Sequence, residues 1–114
     1  MKEEVKQRLV EALRSGKYRQ GRSYLKQSPL PQDSDPRDEY CVLGVLAEVC
    51  GGTWEKSGPR REYSLNGETL AASLLDADTT EMSGLSPSNQ VRYGTMNDEG
   101  VPFAEIADLI EKEQ

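Results

Sequence analysis

Residues 39–52, EYCVLGVLAEVCGG, constrain the fold more than any other part of this chain. Tyr40, Cys41, Val42, Leu43, Val45, Leu46, Ala47, Val49 and Cys50 leave almost no polar face when wound into a helix. A helix that is apolar around its whole circumference is a buried helix, so this run predicts a central post on which everything else packs. Asp35 followed by Pro36 matches an N-cap and a first helical residue, and Asp38 and Glu39 suit the positive end of the dipole. Gly51-Gly52 supplies the stop, so the helix is expected over about 36–50. Gly44 in its interior costs about 1 kcal/mol relative to Ala, which predicts the close approach of another element there.

Two cysteines, Cys41 and Cys50, lie at the ends of this run. Nine residues of helix separate their Cα atoms by roughly 13 Å, against the ~4.4–6.8 Å that a disulfide spans. They are read as small core residues and not as a pair. The chain contains no histidine. That removes the usual general base, the Ser-His and Cys-His nucleophile pairs and the commonest metal ligand. No catalytic motif appears, so a non-catalytic protein without a cofactor is expected.

A chain of 114 residues fits one domain, residues 1–114, with a modest core, since only 35% of the residues are hydrophobic. The longest apolar run falls short of a membrane span, and the charged N-terminus lacks an apolar signal core. A cytoplasmic location is expected. The net charge of −6 is unevenly spread. Residues 1–26 carry eight Lys or Arg against three Glu, a balance of +5, and the remainder carries −11. Such polarity suggests charged partners.

Along the chain, EEVKQRLVEALRS (3–15) reads as an amphipathic helix whose Val5, Leu9 and Leu13 dock on the central post. Residues 27–36 read as a loop. Residues 53–56 and 61–65 are expected to form a short hairpin, with Asn66-Gly67 as a second turn. Leu70–Leu75 is a short apolar run. Residues 76–100 are polar and punctuated, and Asn97 to Gly100 reads as a tight turn. Asp76, Asp78 and Glu81 suggest a cation site, but Glu81 stands where a calcium loop requires Gly, so no metal site is expected. PFAEIADLIEK (102–112) is a second amphipathic helix, with Phe103, Ile106, Ala107 and Ile110 inward and Pro102 as its first residue. No recognition helix is read after this one, so ordinary helix-turn-helix reading of DNA is not expected. The fold class is therefore α+β: a predominantly helical domain with a buried central helix, amphipathic helices near both termini and a short β-hairpin.

KYRQGRSYLK (17–26) is the most suggestive polar stretch. Lys17, Arg19, Arg22 and Lys26 interleave with Tyr18 and Tyr24, a mixture that holds phosphate by charge and a ring by stacking. The ligand-binding candidates are Lys17, Tyr18, Arg19, Arg22, Tyr24 and, as a stacking partner, Trp54, with Tyr63 as its alternative. The competing reading makes Tyr18 and Leu25 core caps and leaves the cations in water.

Four segments, ALRSGKYRQGRSYL (12–25), EYCVLGVLAEVCG (39–51), GLSPSNQ (84–90) and MNDEGVPFAEIADLIE (96–111), together resemble a family of small proteins encoded by bacteriophages and prophages. The resemblance spans nearly the whole chain in the same order. The family carries no activity to transfer. Its members often place cysteines where this chain has Val42 and Ala47, so no metal or redox role is carried over for Cys41 and Cys50. The resemblance implies an accessory protein made during infection, in the host cytoplasm, that inhibits or sequesters a host component.

The expected function is thus a non-catalytic binding protein directed at a host protein or a phosphate-bearing small molecule. The alternative is nucleic-acid binding by the basic stretch, or imitation of DNA by Asp76, Asp78, Glu81, Asp98 and Glu99. The exposed side of the last helix leaves room for a homodimer.

Overall fold

In a computed structural model, residues 1–56, 61–67 and 75–113 are described. Helix α1 (Glu3–Arg14) leads into three two-residue strands, β1 (Arg19–Gln20), β2 (Lys26–Gln27) and β3 (Glu39–Tyr40). Helix α2 (Val42–Val49) follows, then strands β4 (Trp54–Lys56) and β5 (Tyr63–Leu65) and helices α3 (Ala77–Ser83), α4 (Pro87–Asp98) and α5 (Phe103–Lys112). The architecture is α+β, as the sequence predicts. Strand β3 lies between β1, to which it runs parallel, and β2, to which it runs antiparallel. The predicted hairpin pairs Trp54 with Leu65, Glu55 with Ser64 and Lys56 with Tyr63. Asn66 and Gly67 both have positive φ, which makes the predicted turn there.

Helix α2 is the buried post, and Val42 through Ala47 are all buried. Helices α1 and α4 pack on it and α5 packs on both of them, with Leu9, Leu13, Leu25, Leu85, Tyr93, Ile106 and Ile110 completing the core. The predicted inward stripes of α1 and α5 are the buried ones, except that Val5 is only half-buried and Val10 joins Leu9 and Leu13. Arg14 ties the outer edges of the two helices together through Asp108 at 2.7 Å and Glu111 at 2.9 Å. Gly44 is approached as predicted: a Cβ there would sit 1.8 Å from the carbonyl oxygen of Leu25.

The start of the central helix departs from expectation. It begins at Val42 and not near Pro36, because Glu39 and Tyr40 are claimed by strands on both sides. The amide of Cys41 donates to Leu25 O at 3.1 Å, and the carbonyl of Tyr40 accepts from Gly21 N at 2.7 Å. Asp35 caps no helix and instead binds Arg37. Sheet pairing outcompetes a local capping signal because it satisfies backbone groups on both edges of the segment.

Residues 76–100, read from the sequence only as polar and punctuated, contain α3 and α4. Asp76 caps α3 by accepting from Thr79 N, and Gly84 ends that helix with φ of 70°. Ser86 caps α4 by accepting from Asn89 N, with Pro87 as its first residue. These start signals are present in the sequence, but α4 buries only Tyr93 and Asn97 and so shows no apolar stripe. The expected turn at Asn97–Gly100 is the last turn of α4 and its exit, and Pro102 precedes α5 as its N-cap. The apolar run at 70–75 lies, except for Leu75, outside the described residues.

Candidate functional site

The register of the small sheet sets Lys26 opposite Tyr40. From there the Lys26 ammonium lies over three rings: Tyr63 at 4.8 Å, Tyr40 at 5.1 Å and Trp54 at 5.4 Å from the centroids. Asp38 closes the cage, with Oδ2 at 3.8 Å from the ammonium and accepting from Tyr63 Oη at 3.3 Å. Strands β4 and β5 pair antiparallel, and the docking of this hairpin beside β2, through the Gln27–Glu62 bridge, brings Trp54 and Tyr63 to Lys26.

The aromatic cluster extends outward from the cage. Tyr40 meets Trp54 edge-on at 6.3 Å and Tyr18 edge-on at 5.0 Å. The indole N–H of Trp54 donates to Oε2 of Glu48, near the end of α2. Four of the chain's seven aromatic residues are gathered in this one chain of contacts. Beside Tyr40 and Tyr18 opens a cleft of about 340 Å³, lined by Lys17, Tyr18, Arg37, Asp38, Tyr40 and Glu48. Its size is near the lower end of small-ligand sites. A second cleft, of about 260 Å³, shares Lys17 and Tyr18 and is otherwise walled by α1 residues including Arg8 and Glu11 and by Val49 of α2.

The electrostatics of the first cleft are set by what is already neutralised. Arg37 binds Asp35 with Nη2 to Oδ2 at 2.9 Å and donates from Nη1 to Gly16 O at 3.0 Å. The hydrogen-bonded Arg37 guanidinium holds the Asp35 carboxyl down at about 2. Glu48 has no cationic partner among the described residues. Burial, followed by the charges of Glu48 and Asp38, pushes the Tyr40 phenol up to about 12. Burial, followed by Glu48, pushes Tyr18 up as well.

Of the six residues singled out from the sequence, Lys17 and Tyr18 line the cleft, and Trp54 stands behind it through Tyr40. Arg19 is committed elsewhere, to Asp33 at 3.3 Å, Glu39 at 3.4 Å and the backbone carbonyl of Asp35 at 3.0 Å. Arg22 and Tyr24 belong to the β1–β2 loop, where Ser23 N donates to Asp98 Oδ1 and the Arg22 guanidinium lies against Gly100. The structure therefore does not gather Lys17, Arg19, Arg22 and Tyr24 around one ligand. Tyr40, Asp38 and Glu48 also line the cleft, and the sequence reading does not single them out. Tyr40 reads as one more apolar position of the central helix, and only the start of α2 at Val42 releases it into a strand.

Cys41 is buried and Cys50 half-buried, and both are free. Burial pushes the Cys41 thiol up to about 11 and raises Cys50 too, so neither has the character of an activated thiolate. Among the described residues, no group of three or more His, Cys, Asp or Glu is placed to hold a metal ion. No described helix is long and apolar enough to cross a membrane.

Among the described residues, five helices, a three-stranded sheet and a hairpin, with an aromatic and carboxylate cleft beside the sheet, define a small α+β domain. The chain belongs to the family described as a domain of unknown function, DUF8296, whose model matches residues 1–114. No curated protein and no solved structure matches the chain.

Proposed function

We propose that this protein is a non-catalytic binding protein that captures a host component at the Tyr18–Tyr40 cleft. In this reading it is a phage-type accessory protein acting in the host cytoplasm, where it inhibits or sequesters what it binds. The observation that carries the proposal is the cleft itself. It combines two phenols with a carboxylate, Glu48, that lacks a cationic partner among the described residues. Neither phenol donates a hydrogen bond to a described residue. Rigid aromatic walls with unused polar edges are what recognition surfaces use for contact at low entropic cost. The resemblance to phage and prophage proteins supports the accessory role.

The nucleic-acid reading has weaker support. Arg19 is neutralised by carboxylates, and Arg22 lies apart from Lys17. For DNA imitation, Asp78 and Glu81 are exposed on α3, but Asp76 caps that helix and Asp98 accepts from Ser23 N.

The test is affinity capture from bacterial lysate with the wild-type protein and with Tyr18→Ala, after circular dichroism shows both are folded. Proteins and retained small molecules are both identified. A partner held by the wild type and lost with Tyr18→Ala supports the proposal. Equal retention by both overturns the assignment of the cleft.

A further inference from the structure

The residues around the cleft also say which chemistry it selects. We infer that the Tyr18–Tyr40 cleft takes the ammonium or guanidinium head of a lysine or arginine side chain presented by a partner protein. This deepens the binding reading above and rests on it.

Three observations carry the inference. The first is an internal example, since the same cluster of rings already holds one ammonium. Lys26 Nζ sits 4.8–5.4 Å from the centroids of Tyr63, Tyr40 and Trp54, with Asp38 as its counter-ion. Aromatic faces attract cations through their quadrupoles, and the attraction grows as water is excluded. Tyr40 belongs to both the cage and the cleft, so the cleft continues a surface that is built for a cation.

The second observation is the balance of charge. Of the cations near the cleft, Arg37 is spent on Asp35 and Lys26 on Asp38. Lys17 lines the cleft beside Tyr18, with its ammonium 5.5 Å from the ring centroid, and is the like charge that an incoming cation meets there. Glu48 is half-buried, takes the indole N–H of Trp54 on one oxygen, and has no ion pair among the described residues. It leads the charges acting on both Tyr18 and Tyr40. A half-buried carboxylate beside two phenols offers a cation a charge-assisted hydrogen bond and two ring contacts. The same group repels a phosphate.

The third observation points to a protein as the source of the cation. The second cleft shares Lys17 and Tyr18 with the first and carries a carboxylate, Glu11, beside the cation Arg8. A polypeptide segment laid across these shared residues contacts both clefts, whereas a free amine fills one. The chain as a whole carries a net charge of −6, which complements a basic partner and speeds its approach.

The experiment follows the ring resonances of Tyr18 and Tyr40 by NMR. The titrants are the blocked tripeptides Ala-Lys-Ala and Ala-Arg-Ala, the neutral isostere Ala-norleucine-Ala, and inorganic phosphate. The Lys and Arg peptides are expected to shift both rings, and the isostere and phosphate are expected to leave them in place. Glu48→Gln is expected to weaken the peptides about threefold to fivefold, the scale of a partly exposed ion pair. Lys17→Ala is expected to tighten them by up to about twofold by removing a like charge. A phosphate ligand reverses both signs. If phosphate or the isostere shifts the rings as much as the Lys peptide, or Glu48→Gln changes nothing, the cationic assignment is overturned. Loss of partner capture by Tyr18→Ala in that case leaves the cleft standing as a binding site for another chemistry. Unchanged capture by Tyr18→Ala removes the site and the inference together.

Discussion

The side chains of Gln20 and Asn97 are hydrogen-bonded to each other at 3.1 Å, and each caps the first amide of a helix to which it does not belong. Asn97, on α4, accepts from Val42 N at 3.1 Å and donates to Gly21 O at 2.7 Å. Gln20, on β1, accepts from Phe103 N at 3.0 Å and donates to Val101 O at 2.7 Å. The residues that precede these helices, Cys41 and Pro102, provide no side-chain cap of their own. One pair of amides therefore joins β1, α2, α4 and α5, and Asn97 does so fully buried.

Replacing Asn97 by Ala leaves the Val42 amide, the Gly21 carbonyl and one Gln20 donor without their partner in a dry site. Each such group costs about 1–3 kcal/mol, and partial relaxation brings the expected loss to about 2–4 kcal/mol in urea unfolding. Gln20→Ala, at a half-buried position, should cost less. A double-mutant cycle should return a coupling of about 1 kcal/mol, and strictly additive losses would contradict the shared network.

Gly44→Ala and Gly94→Ala should act in opposite directions although both sit inside helices. At Gly44 the new methyl meets the Leu25 carbonyl at 1.8 Å, a backbone atom that also accepts from Cys41 N. Relief requires moving β2 off α2, so a loss of at least about 3 kcal/mol or failure to fold is expected. At Gly94 the nearest atom is Leu43 Cδ1 at 3.6 Å, an ordinary contact. There the gain in helix propensity should raise stability by about 0.5–1 kcal/mol. Thermal melts of the two variants check both signs.

Lys26→Met keeps a similar length and removes the ammonium from the Tyr40–Trp54–Tyr63 cage. The loss of three ring contacts and of Asp38 should cost about 1–2 kcal/mol. The emission of Trp54, the single tryptophan, should change with it. An unchanged melting temperature would show that the cage adds nothing to stability.

Alkaline pH should unfold the protein in a definite window. Tyr40 and Tyr93 are both pushed from 10 up to about 12, Tyr40 by burial and then Glu48, Tyr93 by burial and then Glu113. Cys41 moves from 9 up to about 11, chiefly by burial. In each case the folded state holds the proton more tightly, so this stability is complete below the unfolded pKa. It declines as pH rises from about 9 through about 12. Near-ultraviolet tyrosinate absorbance should lag behind free tyrosine and then rise together with loss of helicity. Tyrosine titration with the ordinary pKa in the folded protein would contradict the burial of these phenols.

Much of the framework was legible in the residues themselves. The stripes of α1 and α5, the apolar run of α2, the hairpin from Trp54 to Leu65 and the pressure on Gly44 all follow from periodicity, turn chemistry or the cost of a helical glycine. These signals are local. Lys17 and Tyr18, which line the cleft, were legible as candidates for the same reason, since cations interleaved with rings are visible over ten positions. Arg19 and Arg22 looked equivalent to Lys17, and nothing in their neighbourhood distinguishes them. Their partners, Asp33 and Glu39 for Arg19 and the Gly100 corner for Arg22, lie far along the chain.

By itself, then, the sequence determined which segments must be buried and that they form an α+β domain around the apolar run at 39–52, because apolar spacing acts within a single turn or strand. Only the tertiary structure decided where α2 begins, that the weakly apolar α4 is a helix, and that Tyr40 faces a cleft. Those outcomes rest on hydrogen bonds between residues 55 and 77 positions apart and on rings brought together from four segments. A buried amide such as Asn97 is favourable only once all of its partners are in place, and no local pattern records that condition.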